Sequence, residues 1–187
     1  MDNEKNKTAP SPRADLYDWI SSIIAALIAC VLVFVFCARM VNVVGSSMYP
    51  TLEENDKIVI SNLFYTPKQG DIVVLRKDTF MADPIVKRII AVEGQTVNID
   101  FENGIVYVDN VALKEPYINE LTHEPENFEG PFTIPEGCVF VMGDNRNAST
   151  DSRAASLSAV DTRYIMGRVY CTVFPLKNIE WNAVDPY

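Results

Sequence analysis

From Trp19 to Ala38 the chain carries no charged residue and no proline. At 1.5 Å per residue such a helix spans about 30 Å, the thickness of a bilayer's hydrocarbon core. A buried core helix is rarely uncharged over that length. A cleavable secretory signal has an apolar region of roughly 7–15 residues, ending in small residues at the cut. Here Phe36 stands where a small residue would be needed for a cut after Ala38. The run therefore predicts a retained transmembrane helix over residues 19–38. Lys5, Lys7 and Arg13 precede it and Arg39 follows it, which orients the N-terminus towards the cytoplasm. Residues 1–18 are expected as a cytoplasmic tail, its first part polar and proline-containing, and 39–187 as one domain on the far side of the cell membrane.

That domain reads as β. Segments 57–61, 71–75, 85–92, 96–101, 105–108, 138–142 and 164–174 are rich in valine, isoleucine and aromatics. Turn formers separate them: Lys68-Gln69-Gly70, Glu93-Gly94, Glu102-Asn103-Gly104, Asp109-Asn110 and Pro135-Glu136-Gly137. The second to last and third to last of these predict tight hairpins, because Asn, Asp and Gly tolerate positive φ. Nothing after residue 40 repeats with a helical period over a comparable length. Asn119 to Gly130 is polar and predicts an exposed loop without chemistry. Leu63-Phe64-Tyr65, apolar and between two strands, predicts a buried turn, with a contact to lipid headgroups as the alternative.

A net charge of −9 argues against nucleic acid as a partner. The four cysteines form no metal-ligand spacing, so no metal and no cofactor is expected. Cys30 and Cys37 fall in the apolar run. For Cys138 and Cys171, two buried free thiols are the default and a disulfide the alternative.

Three segments could carry chemistry. Each has a plain structural reading when taken alone. Gly45-Ser46-Ser47-Met48-Tyr49-Pro50-Thr51-Leu52 could be a turn. Ile85-Val86-Lys87-Arg88-Ile89-Ile90 could be an edge strand whose cations reach solvent. Gly143-Asp144-Asn145-Arg146-Asn147-Ala148-Ser149-Thr150-Asp151-Ser152-Arg153 could be a polar loop. Together they suggest a serine nucleophile with an unusual base. A serine hydroxyl needs a neighbouring base at neutral pH, yet His123 is the only histidine and lies in the exposed-looking loop. A lysine remains, if desolvation lowers its pKa from about 10.4 towards 8, a shift worth about 3 kcal/mol. Strand alternation does not choose between Lys87 and Arg88, since both have β-branched neighbours. Chemistry does, because a guanidinium keeps its proton. The Gly-x-Ser-x-Gly elbow and the Ser-x-x-Lys arrangement are absent, with Tyr49 and Pro50 at the deciding positions.

As an ordered set after one span, these segments, together with Gly70-Asp71-Ile72-Val73-Val74, resemble the bacterial type I signal peptidases in their short, Gram-positive-like form. The resemblance covers nearly the whole chain. It implies one transmembrane helix followed by a compact, mainly β catalytic domain, a Ser–Lys dyad, and removal of signal peptides from secretory precursors after small residues. By that resemblance Ser47 is the nucleophile, Lys87 the general base and Ser149 the hydroxyl that orients the lysine amine. Arg88, Asp144, Arg146, Asp151 and Arg153 become the polar scaffold, with Arg88 paired to Asp144. Met48, Asp83, Ile85 and Val86 are substrate-binding candidates, and the strand from Asp83 to Lys87 and the segment before Ser47 are candidates for main-chain pairing. The partners implied are signal peptides and the lipid bilayer, and a monomer is expected. The chain departs from some members in having Gly45 where they place a serine donor to the oxyanion, and Ala91-Val92-Glu93-Gly94 where they often have a glycine and a proline. Two other classes compete: a self-cleaving Ser–Lys protease, against which the span argues, and a non-enzymatic β ectodomain, which leaves the three segments without a use.

Overall fold

The computed structural model describes residues 12–37, 39–175 and 185–186, with side chains described for 16–31 and 39–175. It divides into two compact units, one ending at Ala38 and one beginning at Arg39.

The first unit contains helix α1, Pro12–Cys37. It starts earlier than the apolar run, so residues 12–18, expected in the tail, are helical. Pro12 suits a first helical position, where the missing N–H would have had no partner in any case. Residues 1–11 and Ala38 lie outside the described residues. Every described side chain from 16 to 31 is exposed, among them Trp19 at 72 % and Leu27 at 62 %. Among the described residues no helix is long and apolar enough to cross a membrane. The described side chains of α1 cover about 24 Å at 1.5 Å per residue, short of the hydrocarbon thickness of about 30 Å.

The second unit is β, with β1 (Arg39–Asn42), β2 (Lys57–Ser61), β3 (Ile72–Leu75), β4 (Ile85–Val92), β5 (Thr96–Asp100), β6 (Ile105–Val108), β7 (Val111–Lys114), β8 (Phe132–Thr133), β9 (Cys138–Met142), β10 (Val160–Asp161), β11 (Ile165–Phe174) and β12 (Asp185–Pro186). A seven-stranded sheet runs β1-β2-β11-β3-β4-β9-β10, and a five-stranded one runs β12-β7-β6-β5-β8. All seven strand segments expected from sequence are present, within a residue at their ends. Both expected hairpins close: Gly104 has φ +72°, and Asp109 and Asn110 have φ 52° and 64° between β6 and β7.

Strand β4 positions the site. Its first half pairs with β3, from Ile85 opposite Leu75 to Arg88 opposite Ile72. Its second half pairs with β9, beginning at Arg88 opposite Met142 and passing an irregularity between Ile89 and Ala91. Residues 85–87 thus have a ladder partner on the β3 side, while β9 first meets the strand at Arg88. Three apolar clusters surround this strand. Val43, Met48 and Leu52 pack with Ile58, Ile60, Ile72, Val74 and Val86, locking the segment around Ser47 to the large sheet. Ile89 joins a second cluster with Val73, Leu75, Val139 and Val141, while Ile90 and Ala91 join a third beneath the smaller sheet.

Three expectations change. Leu63 and Phe64 are exposed, Phe64 at 96 %, so the turn is not buried; only Tyr65 turns in, its hydroxyl donating to Asp71 Oδ2 at 2.8 Å. The 119–130 loop is not simply exposed: Thr122 is fully buried beneath Arg146. Cys138 and Cys171 are free, half-buried and exposed respectively, because their strands lie in different parts of the sheet order.

Candidate active site

Lys87 and Arg88 are not the solvent-seeking cations of an edge strand. Lys87 is 3 % exposed and Arg88 is fully buried, because β4 lies inside the large sheet. Neighbours in a strand point to opposite faces, and these two meet different partners. Lys87 Nζ donates to Ser149 Oγ at 3.0 Å, and the Ser149 hydroxyl donates to Asp151 Oδ2 at 2.9 Å. Ser149 thus fixes the amine while its own proton is directed to Asp151. Burial pushes the Lys87 pKa down to about 8; the Asp151, Glu126 and Asp144 charges oppose that fall and Arg153 adds to it. Desolvation wins, so the amine is neutral in mildly alkaline water.

The segment after β9 wraps this pair. Arg153 holds Asp151 through Nε to Oδ1 and Nη2 to Oδ2, both 2.9 Å, and Gly143 N–H donates to the same Oδ2 at 3.0 Å. Arg153 Nη2 also donates to the carbonyls of Arg146 and Ser149, and its Nη1 to the Glu124 carbonyl at 2.7 Å. Arg146 pairs with Glu115 and donates to Thr122 Oγ1 and the Gly143 carbonyl. Burial would favour losing its proton, but Glu115 outweighs that and Arg146 stays firmly charged. On the other side of β4, Arg88 grips Asp144 with two parallel hydrogen bonds of 2.8 and 2.7 Å, donates to the Gly70 carbonyl at 3.0 Å, and lies 3.8 Å from the centre of the Tyr117 ring. Each buried guanidinium therefore has a carboxylate partner, the condition for burying charge without a large loss of stability.

Ser47 reaches this cluster through its backbone. Asn145 N–H donates to the Ser47 carbonyl at 3.0 Å, and Asn145 Nδ2 donates to the Ser46 carbonyl at 3.1 Å. Thr51 Oγ1 donates to Asp144 Oδ2 at 2.5 Å, tying the end of the same turn to the Arg88 pair. Gly143 is the meeting point: a Cβ there would collide with both Ser149 Oγ and the Ser47 carbonyl oxygen. The hydroxyl that holds Lys87 and the backbone of Ser47 therefore face each other across a residue that has no room for a side chain.

Of the other residues singled out from sequence, Ile85 is half-buried, Asp83 exposed and Val86 8 % exposed. Met48 is 1 % exposed and belongs to the core cluster with Leu52, which leaves its backbone, not its side chain, available to a ligand. His123 is exposed, with Nδ1 2.9 Å from the Phe101 carbonyl oxygen. Glu115, Tyr117, Thr122 and Asn145 were not anticipated. Their roles depend on contacts between distant segments, and of the four only Asn145 falls within a motif that could have pointed to it.

Comparison with known proteins agrees with the resemblance read from the motifs. Residues 16–174 match the family described as signal peptidase, peptidase S26. A probable signal peptidase I-1 from Synechocystis is 35 % identical over 194 residues, covering 98 % of this chain and 94 % of that protein. Signal peptidase I T from Bacillus subtilis is 32 % identical, covering 96 % and 98 %. A crystal structure of a signal peptidase I from Enterococcus faecalis aligns with TM-score 0.48 at 28 % identity, over 57 % of this chain and 98 % of that one.

Proposed function

The chain belongs to the signal peptidase family, peptidase S26, and on that premise we propose that it cuts signal peptides from secretory precursors with Ser47 as nucleophile and Lys87 as general base. The observation that carries the reading is the state of Lys87. It is a buried lysine whose pKa falls to about 8, with its amine aimed by a hydroxyl that is itself tied to a carboxylate. A structural lysine would gain from an ion pair; a base must be neutral and oriented. The Ser47 hydroxyl gives its proton to Lys87 Nζ as its oxygen bonds to the scissile carbonyl carbon. The resulting ammonium passes that proton to the departing amine. Water then attacks the ester, losing a proton to Lys87, and the ammonium returns that proton to Ser47 Oγ as the acyl–oxygen bond breaks and the peptide acid leaves. The developing oxyanion is served by the Ser47 backbone N–H.

The substrate-facing edge is the first half of β4. Residues 85–87 are laddered by β3 on one side only, so an extended peptide can add as a strand on the other. Small residues before the cut, of the Ala-x-Ala type, follow if the pockets beside this edge are shallow; each misfit methylene costs about 1–3 kcal/mol.

Helix α1 acts as a single membrane anchor, with the N-terminus cytoplasmic and the β domain outside. Its described side chains are apolar and exposed over 19–31 apart from Ser21 and Ser22, whose hydroxyls donate to the Asp18 carbonyl. Those bonds remove the donors from a lipid environment. Leu63 and Phe64 supply exposed apolar surface for a further headgroup contact.

The deciding experiment incubates purified full-length protein in detergent with a secretory precursor and sequences the new N-terminus of the product. Cleavage after a small residue, lost in Ser47→Ala and in Lys87→Arg, is expected. Cleavage that survives Lys87→Arg overturns the assignment, because arginine keeps the charge but cannot take the proton.

A further inference from the structure

Each buried guanidinium around the site is matched to one carboxylate: Arg88 to Asp144, Arg146 to Glu115 and Arg153 to Asp151. That matching leaves two ionisable side chains over, Lys87 and Glu126. Glu126 sits in the 119–130 loop, pinned where Arg153 Nη1 donates to the Glu124 carbonyl and where Asn147 Oδ1 accepts from the His123 and Glu124 N–H groups. Its carboxylate accepts from the Asp151 N–H and the Thr150 hydroxyl, placing it against the residues that hold Ser149. Its Oε2 is covered from solvent and has no hydrogen-bond partner among the described residues. A covered carboxylate oxygen without a donor is costly unless a positive charge comes near it at some stage.

We propose that Glu126 is a positioning residue for the base, its carboxylate supplying the counter-charge for the ammonium that Lys87 becomes when it takes the Ser47 proton. The proposal rests on the Ser47–Lys87 reading. No proton passes to Glu126: it moves from Ser47 to Lys87 and on to the departing amine. Asp151 is the larger negative charge at Lys87, but Arg153 grips both of its oxygens, whereas Glu126 Oε2 has no hydrogen-bond partner among the described residues. The charges facing Lys87 are Asp151, Arg153, Glu126 and Asp144, and those facing Glu126 are Asp151, Arg153 and Lys87. On the loop of Glu126 itself, His123, Glu124 and Glu129 are exposed. Desolvation raises the Glu126 carboxyl, the Asp151 charge adds to the rise, and Arg153 and the two donated hydrogen bonds favour the anion.

The test is kcat and KM for a signal-peptide substrate from about pH 6 to about pH 10, for the wild type, Glu126→Gln and Glu126→Ala. Glutamine keeps an acceptor for Asp151 and Thr150, so it preserves the loop while removing the charge. Both variants are expected to move the acid limb to lower pH by about half a unit or more, since loss of a nearby anion lowers a lysine pKa. They should also lower the plateau kcat by about three- to tenfold with KM little changed, because a weaker base is a poorer catalyst. An acid limb that stays in place in Glu126→Gln overturns the proposal, as does a wild-type profile in Glu126→Gln with a defect only in Glu126→Ala. A wild type without any acid limb overturns the Ser47–Lys87 reading, and this inference falls with it.

Discussion

Replacing Lys87 by methionine should destroy catalysis and make the folded protein more stable. Burial lowers the lysine pKa to about 8 in the native state, against about 10.4 in an unfolded chain. A lysine whose folded pKa is depressed binds protons more weakly when folded, so it opposes folding below about pH 8, and the penalty fades as pH rises towards about 10.4. The shift is worth about 3 kcal/mol, fully felt at pH values well below 8. Loss of the Nζ to Ser149 hydrogen bond returns about 1 kcal/mol. Ser149 still donates to Asp151, and Asp151 keeps Arg153, so no buried charge is stranded. Lys87→Met should therefore gain about 2 kcal/mol near pH 6.5, and that gain should vanish near pH 9.5. Urea unfolding of both proteins in micelles, followed by near-ultraviolet circular dichroism of the β domain, measures the difference at each pH. Comparison against the variant cancels the titration of groups common to both. A variant less stable than wild type at pH 6.5, or a difference independent of pH, would refute the claim that Lys87 is held neutral by burial.

Gly143→Ala should lose about a hundredfold or more in kcat, since its methyl would push Ser47 and Ser149 apart and displacements near 1 Å cost that much; a rate within a few-fold of wild type would place the glycine outside the site. Arg88→Ala leaves Asp144 buried without its partner and should cost about 3–5 kcal/mol in urea unfolding. A fragment starting at Arg39 contains both sheets and all three core clusters. It should fold and cleave a short soluble peptide, but lose far more activity on precursors embedded in vesicles, because a shared membrane raises the effective concentration of enzyme and substrate. Equal loss on both substrates would remove the confinement argument.

The sequence was most legible where local chemistry decides structure. Valine- and isoleucine-rich runs bounded by Asp109-Asn110 or Gly104 became strands and hairpins because backbone preference and burial agree there. Strands β8 and β10 are too short, at two residues each, to show a period of their own. Lys87 was singled out in the sequence by what its neighbours could not do: Arg88 cannot lose its proton, and His123 is exposed in a distant loop. The burial of Thr122 and the covered oxygen of Glu126 were invisible because both arise from a polar loop folding onto Arg146 and Arg153. Phe64 misled in the other direction, since an aromatic between two strands is usually buried and this one is exposed.

The central claim, that Lys87 is the base for Ser47, is tested most directly by the pH dependence of kcat/KM on a signal-peptide substrate. One ionisation with a midpoint near the depressed lysine pKa of about 8, active on its alkaline side, is the expected profile. A rate flat from about pH 6 to about pH 9, or a limb near the histidine value of about 6.5, would contradict it.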